Sequence, residues 1–210
     1  GVNGSAVGKI FYGNGNGTFT VTALPPDLNR GLGFTAIDVN ADTYPDLIGM
    51  QDVGSHSYLS VYINQPPRSW SSPQHVVQIA GAVDPHGAPS AADFDEDGYI
   101  DVVTLQYTGT TTNTSNVVIF DGEANLTWTE RTLETLPGRW SIPVVGDINN
   151  DGHVDIVVGG AERNEDLLLY LGNSTGNFIR QTIDLDHGVG SLNILNPGDI
   201  NDDGLTDIIA

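Results

Sequence analysis

The sequence contains no cysteine, so disulfides cannot cross-link the fold and thiolate zinc sites are excluded. It has only seven lysine and arginine residues against 27 acidic ones, which gives a formal net charge of −20. So acidic a chain repels phosphates, which argues against nucleic acid and acidic lipid surfaces as partners. There is no apolar run of about 18 residues, so no membrane insertion is predicted.

Turn-forming residues are abundant instead. The 210 residues include 26 glycines and 11 prolines, with many Asn, Asp and Thr residues around them. Such a composition is typical of short strands joined by tight turns. No window has the pattern of a long amphipathic helix, and the length suits one sizeable domain or a repeat array.

One short acidic loop occurs four times, and its leading aspartates are 55, 54 and 52 residues apart. Side-chain oxygens stand at positions 1, 3, 5 and 9, and position 7 would supply its backbone carbonyl. The predicted metal ligands are therefore Asp38, Asn40, Asp42, Tyr44 and Asp46; Asp93, Asp95, Asp97, Tyr99 and Asp101; Asp147, Asn149, Asp151, His153 and Asp155; and Asp199, Asn201, Asp203, Leu205 and Asp207.

This donor set predicts about four structural Ca²⁺ ions, because calcium takes six to eight oxygen ligands in flexible geometry. Position 6 is glycine in three loops, whereas the first loop has Thr43 there and Pro45 at position 8, so a departure from the shared geometry is expected first in this loop. An EF-hand is excluded because position 12 is never glutamate and the flanking runs read as strands. The alternative is a metal-free Asp/Asn/Gly hairpin turn.

The Asp-x-[Asp/Asn]-x-Asp-Gly-x-x-Asp loop followed by an apolar strand resembles the FG-GAP/VCBS repeat of calcium-binding β-propellers. That group includes the integrin α-subunit propeller, fungal lectins and polysaccharide-lyase propellers. The resemblance implies an all-β fold of four-stranded antiparallel blades, with the loop joining the first two strands of each blade. Its implication for function is broad, because one fold serves many roles.

Strand counting gives about four blades' worth of strands in one propeller domain, residues 1–210. The blades are placed at 31–84, 85–139 and 140–190, and the closing blade is split between 1–30 and 191–210. Lys9–Phe19 matches Leu168–Phe178, which makes the opening segment the outer half of a blade. Two alternatives stay open: a closed four-bladed ring, and a segment of a larger propeller or assembly that could self-associate.

The blade topology assigns loops to two faces. Acidic loops and third turns share one face, and the glycosylation sequons Asn16, Asn125 and Asn173 fall in third turns; Asn3 and Asn113 are further sequons. The opposite face is therefore the predicted site for a glycan or protein ligand, on the connections that carry Arg30, His86, Arg139, Trp140 and His187. The alternative is that Trp140 and the histidines pack between blades.

Calcium cages and sequons predict a secreted, extracellular glycoprotein. No catalytic residue is predicted, because the carboxylates are mostly assigned to metal and no hydrolase or phosphate-loop motif is present. The favoured function is a non-catalytic, glycan-binding or adhesive module. The alternatives are the propeller of a lyase-like, polysaccharide-active enzyme, in which Asp84 would join His86, Arg139 or His187, and a purely structural extracellular repeat.

Overall fold

The computed structural model describes residues 9–24, 31–53, 56–66, 69–79, 84–85, 88–108, 114–160, 167–184 and 196–209, and these contain strands and turns but no helix. The strands are, in chain order, β1 (Lys9–Gly13), β2 (Phe19–Ala23), β3 (Gly31–Ile37), β4 (Asp46–Val53), β5 (His56–Tyr62), β6 (Asn64–Gln65), β7 (Ser69–Trp70), β8 (Gln74–Ile79), β9 (Asp84–Pro85), β10 (Ser90–Ala92), β11 (Asp101–Thr108), β12 (Thr114–Glu123), β13 (Thr127–Pro137), β14 (Val144–Gly146), β15 (Asp155–Gly159), β16 (Leu167–Leu171), β17 (Ile179–Ile183), β18 (Asn196–Gly198) and β19 (Asp207–Ile209).

Three complete sheets follow one plan, with neighbouring strands antiparallel and consecutive apart from a short insertion in the first. Their orders are β3-β4-β5-β8, β10-β11-β12-β13 and β14-β15-β16-β17, called here the first, second and third complete sheets. β9 also pairs with β11, so the expected boundary between residues 84 and 85 cuts through a strand of the second sheet. The hairpins β1-β2 and β18-β19 each form a sheet of two strands.

Each apolar core lies between two neighbouring sheets, because the second and third strands are buried on both faces. Val102, Val118 and Phe120 of the second sheet pack with residues of the first sheet. Val103 and Ile119, on the opposite face, pack with residues of the third sheet. The first strands β3, β10, β14 and β18 lie against one another in that order.

The predicted all-β fold with four-stranded antiparallel units is confirmed in the three complete sheets. The first repeat differs, because its third turn is extended by the hairpin β6-β7, which the sequence did not predict. Closure of a ring is not seen: in the part of the chain described, no pairing joins β1-β2 to β18-β19. The described residues also include no helix of the length and apolar character that a bilayer span requires.

Candidate metal centre

All four acidic loops have the same internal hydrogen bonds, centred on the leading aspartate. The position 5 N–H donates to its Oδ1 at 3.0–3.2 Å, and the position 6 N–H donates to its Oδ2 at 2.7–2.9 Å. The position 7 N–H donates to the position 5 carboxylate at 2.8–2.9 Å. The four loops therefore share one conformation, including the first, whose sequence departs most from the pattern.

This conformation requires left-handed backbone at positions 4 and 6. Position 4 has φ of 60–62° in every loop, and the three position 6 glycines have φ of 84–91°. Thr43 takes the same conformation in the first loop, with φ of 75°. A β-branched residue is strained there, because its side chain crowds the backbone at positive φ. The first loop therefore keeps the shared geometry at an energetic cost.

The position 9 aspartate joins each loop to its sheet. In the second loop, Asp101 accepts the Phe94 N–H at 2.7 Å and the Gly122 N–H of the third strand at 2.6 Å. Asp46 and Asp155 make the equivalent pairs of bonds in the first and third loops. These three carboxylates are buried. Each therefore fixes the start of the second strand against the third.

The second loop concentrates the most negative charge. Carboxylate oxygens of Asp93, Asp95 and Asp101 lie within 4.8 Å of one another. Burial raises the pKa of Asp101 to about 7 and also raises the pKa of Asp95, and the nearby Asp95 carboxylate adds to the rise in the pKa of Asp101. A divalent cation among these oxygens would offset that penalty, so the residues fit a hard metal ion. No other triplet of acidic or histidine side chains in the described residues comes as close.

The other three loops have asparagine at position 3, and its amide changes the local electrostatics. Its Nδ2 donates to the position 5 carboxylate in each: Asn40 to Asp42, Asn149 to Asp151 and Asn201 to Asp203, at 2.9–3.1 Å. In the second loop, Asp95 and Asp97 offer only acceptors at these two positions. The second loop therefore has the greatest electrostatic need for a cation.

The position 7 residues lie at the loop surface, where Tyr44, Tyr99 and Leu205 expose large side chains. The fourth, His153, links two loops, because its Nδ1 lies 2.6 Å from Oε1 of Glu96. This contact raises the pKa of His153 above its ordinary value. No sequence pattern indicated this contact, since Glu96 and His153 are 57 positions apart and only the packing of adjacent sheets brings them together.

A second contact between sheets was also not predicted. Arg131 Nε donates to Asp121 at 2.6 Å, and its Nη2 donates to the carbonyl of Gly176 at 2.9 Å. A Cβ at Gly176 would lie 3.0 Å from the Cβ of Asp95. The third turn of the third sheet is therefore held directly against the second loop.

A cavity of about 270 Å³ lies on the loop side, between the first two acidic loops and the turn between β12 and β13. Asp38, Asn40, Tyr99, Glu123 and Asn125 are among its lining residues. Acidic loops and third turns thus meet on one side of the sheets, as the blade topology predicted.

The ligand face predicted on the opposite side is described only in part. Arg139 is exposed, and its guanidinium carbon lies 4.6 Å from the ring centroid of Tyr107. Trp140 is half-buried against the core between the second and third sheets, and its Nε1 donates to the Pro137 carbonyl at 2.8 Å. That placement favours packing over ligand contact for Trp140. Arg30, His86 and His187 lie outside the described residues.

The three sequons in third turns differ in their local structure. Asn16 and Asn125 are exposed, and Asn125 has φ of 64°. Asn173 is half-buried, and its Oδ1 accepts the N–H and the hydroxyl of Thr175. Asn3 and Asn113 lie outside the described residues.

Comparison with models of known protein families identifies the repeat. The sequence model of the FG-GAP-like repeat matches residues 38–104 and 147–210. These two segments contain all four acidic loops and cover more than half of the chain. No curated protein matches the chain.

Proposed function

Because the chain belongs to the FG-GAP-like repeat family, we propose that it is a calcium-stabilised, non-catalytic binding module that works outside the cell. The observation that carries the proposal is the shared loop conformation, in which carboxylate and amide oxygens gather at positions 1, 3, 5 and 9 in all four repeats. Calcium prefers oxygen ligands of this type. The position 7 carbonyls of Tyr44, Tyr99, His153 and Leu205 would complete each site.

The second loop is proposed to bind calcium most tightly and the first loop most weakly. Asp93, Asp95 and Asp101 supply three close carboxylates in the second loop. The first loop holds a neutral amide at Asn40 and carries strain at Thr43. Affinity rises with ligand charge and with a site that is already ordered, so both differences act in the same direction.

We further propose that the sheets are blades of a propeller. Two features support this arrangement: the first strands β3, β10, β14 and β18 lie side by side, and each core fills the space between consecutive sheets. Blades of a propeller are four-stranded sheets around an axis, with their first strands nearest to it. The mass of the native particle in calcium, measured by light scattering, tests how many blades it contains.

A glycan or protein is the proposed ligand, bound on the face away from the acidic loops. Exposed Arg139, stacked on Tyr107, is the described part of this face, and a planar cation beside an aromatic ring suits hydroxyl-rich or carboxylate-bearing ligands. Binding without catalysis is favoured because many of the carboxylates already accept backbone N–H bonds within the loops. The sequons and the millimolar calcium outside cells support an extracellular location.

Calcium titration of metal-free protein tests the proposal. Each site at 100 times its Kd stabilises the fold by about 2.7 kcal/mol, so calcium should raise the melting temperature and EDTA should lower it. Asp97→Asn should weaken the tightest site in calorimetry. Glu123→Gln, which removes one charge outside the ligand positions, should leave that affinity unchanged. A melting curve indifferent to calcium would falsify the calcium proposal.

A polysaccharide panel separates the binding module from its alternatives. Retention of a glycan without new reducing ends or unsaturated products supports a module, and loss of binding in Arg139→Ala at an unchanged melting temperature places the ligand. Release of unsaturated products would establish the lyase-like alternative. If the protein binds no glycan and no protein, the result favours the purely structural extracellular repeat.

A further inference from the structure

The cavity on the acidic-loop side lies where the first and second complete sheets meet, called here the first junction. At the second junction, between the second and third sheets, Glu96 at position 4 of one loop contacts His153 at position 7 of the next, with Oε1 and Nδ1 2.6 Å apart. At the first junction the same two positions are Ala41 and Tyr99, and both line the cavity. The cavity therefore occupies the place that an acid and a histidine fill at the second junction.

An arginine of the chain also crosses the second junction. Arg131 of β13 donates through Nη2 to the carbonyl of Gly176 at 2.9 Å, in the third turn of the third sheet. Gly176 corresponds to Leu126 of the second sheet, because each lies four residues after the glycine that donates to a position 9 aspartate. Both have positive φ, 68° and 57°, and Leu126 lines the cavity. The second junction thus has a guanidinium on the carbonyl that is equivalent to that of Leu126.

The first sheet has no cation at the position of Arg131. Gln74 of β8 pairs with Val61, whereas Arg131 pairs with Ile119. These partners are equivalent, because each lies three residues before the N–H donor to the position 9 aspartate of its sheet. None of the described residues that line the cavity is lysine, arginine or histidine. The first junction therefore lacks both of the basic side chains that the chain supplies at the second.

The cavity wall combines acidic groups with apolar and aromatic surface. Asp38 and Glu123 line it, and Tyr99 beside them is 42% exposed. Val39 and Ile100 also line it, and they pack against the core between the first two sheets. Calcium in the first loop would neutralise Asp38 but not Glu123, which lies outside the ligand positions. A carboxylate near an aromatic ring and apolar side chains suits a cation carried on an apolar stem.

We propose that this cavity binds the basic side chain, arginine or lysine, of a partner protein. The cation would pair with Glu123, and its aliphatic stem would lie against Tyr99 and Leu126. The volume of about 270 Å³ is just below the usual range of small-molecule pockets, so it suits one side chain rather than an oligosaccharide. This site is separate from the proposed ligand face around Arg139 and needs no bound metal.

Calorimetric titration with N-acetylarginine methylamide tests the site, in saturating calcium and at about 0.15 M salt, where long-range attraction is screened. The matching citrulline compound has the same shape without the charge. We expect the arginine probe to bind and the citrulline compound to bind at least about tenfold more weakly, because it cannot form a charged pair with Glu123. Agmatine, a free amine with the same guanidinium, should bind no more tightly than the arginine probe.

Two matched variants locate the binding. Glu123→Gln should weaken the arginine probe about tenfold, while its amide oxygen still accepts the Thr129 hydroxyl bond. Asp202→Asn is the control and should leave the affinity unchanged. Asp202 is an exposed position 4 residue of the fourth loop, outside the predicted metal ligands, and the third loop already has asparagine at that position.

A double variant fills the cavity as the second junction is filled. Ala41→Glu with Tyr99→His reproduces the pair of Glu96 and His153, and Ala41 and Glu96 share a φ of 60–61°. It should abolish binding of the arginine probe, with a melting temperature at or above that of the parent protein. A fall in melting temperature together with intact binding would contradict the proposal.

Several other results would overturn the site. These are no binding of the arginine probe, equal binding of the arginine and citrulline compounds, and equal loss in Glu123→Gln and Asp202→Asn. Binding that occurs in EDTA and disappears in calcium would show that the probe only replaces the metal. Agmatine binding about tenfold tighter than the arginine probe would overturn the assignment to a protein side chain. A failed calcium titration with intact binding of the probe would refute the metal proposal alone.

Discussion

At the scale of single residues, the position 9 aspartate is the most constrained group of the repeat. Asp101 is buried with an elevated pKa, yet both of its oxygens accept backbone N–H bonds from two different segments. Removing it would leave two buried donors without partners, and each such donor costs about 1–3 kcal/mol. Its structural role is therefore separable from any metal it binds.

We expect Asp101→Ala to reduce the free energy of unfolding by about 2–4 kcal/mol even in EDTA, where metal cannot contribute. Urea unfolding followed by tryptophan fluorescence measures the loss. Asp207→Ala is the matched control, because Asp207 is less buried and accepts one N–H bond in the described structure. Equal losses for the two variants would contradict the structural role of Asp101.

Thr43 offers a second test at this scale, because it is a β-branched residue at a φ of 75°. Thr43→Gly should stabilise the protein by about 1 kcal/mol, since it relieves left-handed strain and keeps the N–H that Asp38 accepts. The reciprocal change Gly152→Thr, at a φ of 91° in the third loop, should destabilise by about 1–2 kcal/mol. Urea unfolding in EDTA compares both with the parent, and a destabilised Thr43→Gly protein would refute the strain.

The spacing of acids along the chain was enough to predict which residues share each loop, because all of them lie within nine consecutive positions. It could not predict the third-strand partner of Asp101, which is distant in sequence. It also left open whether Trp140 binds a ligand or packs in the core. Side-chain orientation decides that question, and it depends on how the second and third sheets meet.

At the scale of elements, the second and third complete sheets share one contact. In each of them an aromatic side chain packs over a glycine at the end of the third strand. Trp128 Nε1 donates to the Ile100 carbonyl at 2.8 Å, and a Cβ at Gly122 would lie 3.3 Å from that nitrogen. Phe178 approaches the site of a Cβ at Gly172 within 3.4 Å in the same way. The third strand can approach the acidic loop only because these two positions lack side chains.

Gly172→Ala should therefore destabilise the protein by about 3 kcal/mol, because its Cβ would stand 2.1 Å from the Val154 carbonyl oxygen. Gly13→Ala is the control and should change stability by less than about 0.5 kcal/mol, because a Cβ there would meet nothing within 4 Å. Thermal melting monitored by circular dichroism compares the two variants. A tolerated Gly172→Ala would show that the third strand can move away from the loop.

Strands that follow an acidic loop were predictable, and strands of only two residues were not. The apolar runs after each loop predicted β4, β11, β15 and β19, since turn residues bound them on both sides. β6, β7 and β9 contain two residues each, and two residues carry no periodic signal. The pairing of β9 with β11 depends on how the connection between the first and second sheets packs against the second sheet. The local sequence does not encode that packing.

At the scale of the whole molecule, negative charge opposes compaction. The formal net charge is −20, and 15 of the 27 acidic residues lie in the four acidic loops, all of which face one side of the sheets. Self-repulsion of this size lowers stability until counter-ions or bound metal reduce it. The molecule should therefore be sensitive to ionic strength in a way that reports on its metal content.

In EDTA, raising NaCl from low to high concentration should increase the melting temperature, because salt screens repulsion between exposed carboxylates. With saturating calcium, the increase should be clearly smaller, since four bound ions would supply eight positive charges. Differential scanning calorimetry at matched ionic strengths measures both series. Equal salt dependence with and without calcium would indicate that the loops do not take up the ion. The mass of the particle in calcium, measured by light scattering, would fix the number of copies.

The second sheet contributes one face to each of two cores, and this has a consequence for how such a chain changes in length over evolution. A duplicated segment of one period would bring a sheet with two apolar faces. Such a sheet can be accommodated between existing neighbours once the side chains at its two new interfaces repack. Gene duplication can therefore lengthen the array one repeat at a time, while each inherited loop is free to lose or gain acidic residues independently of the others.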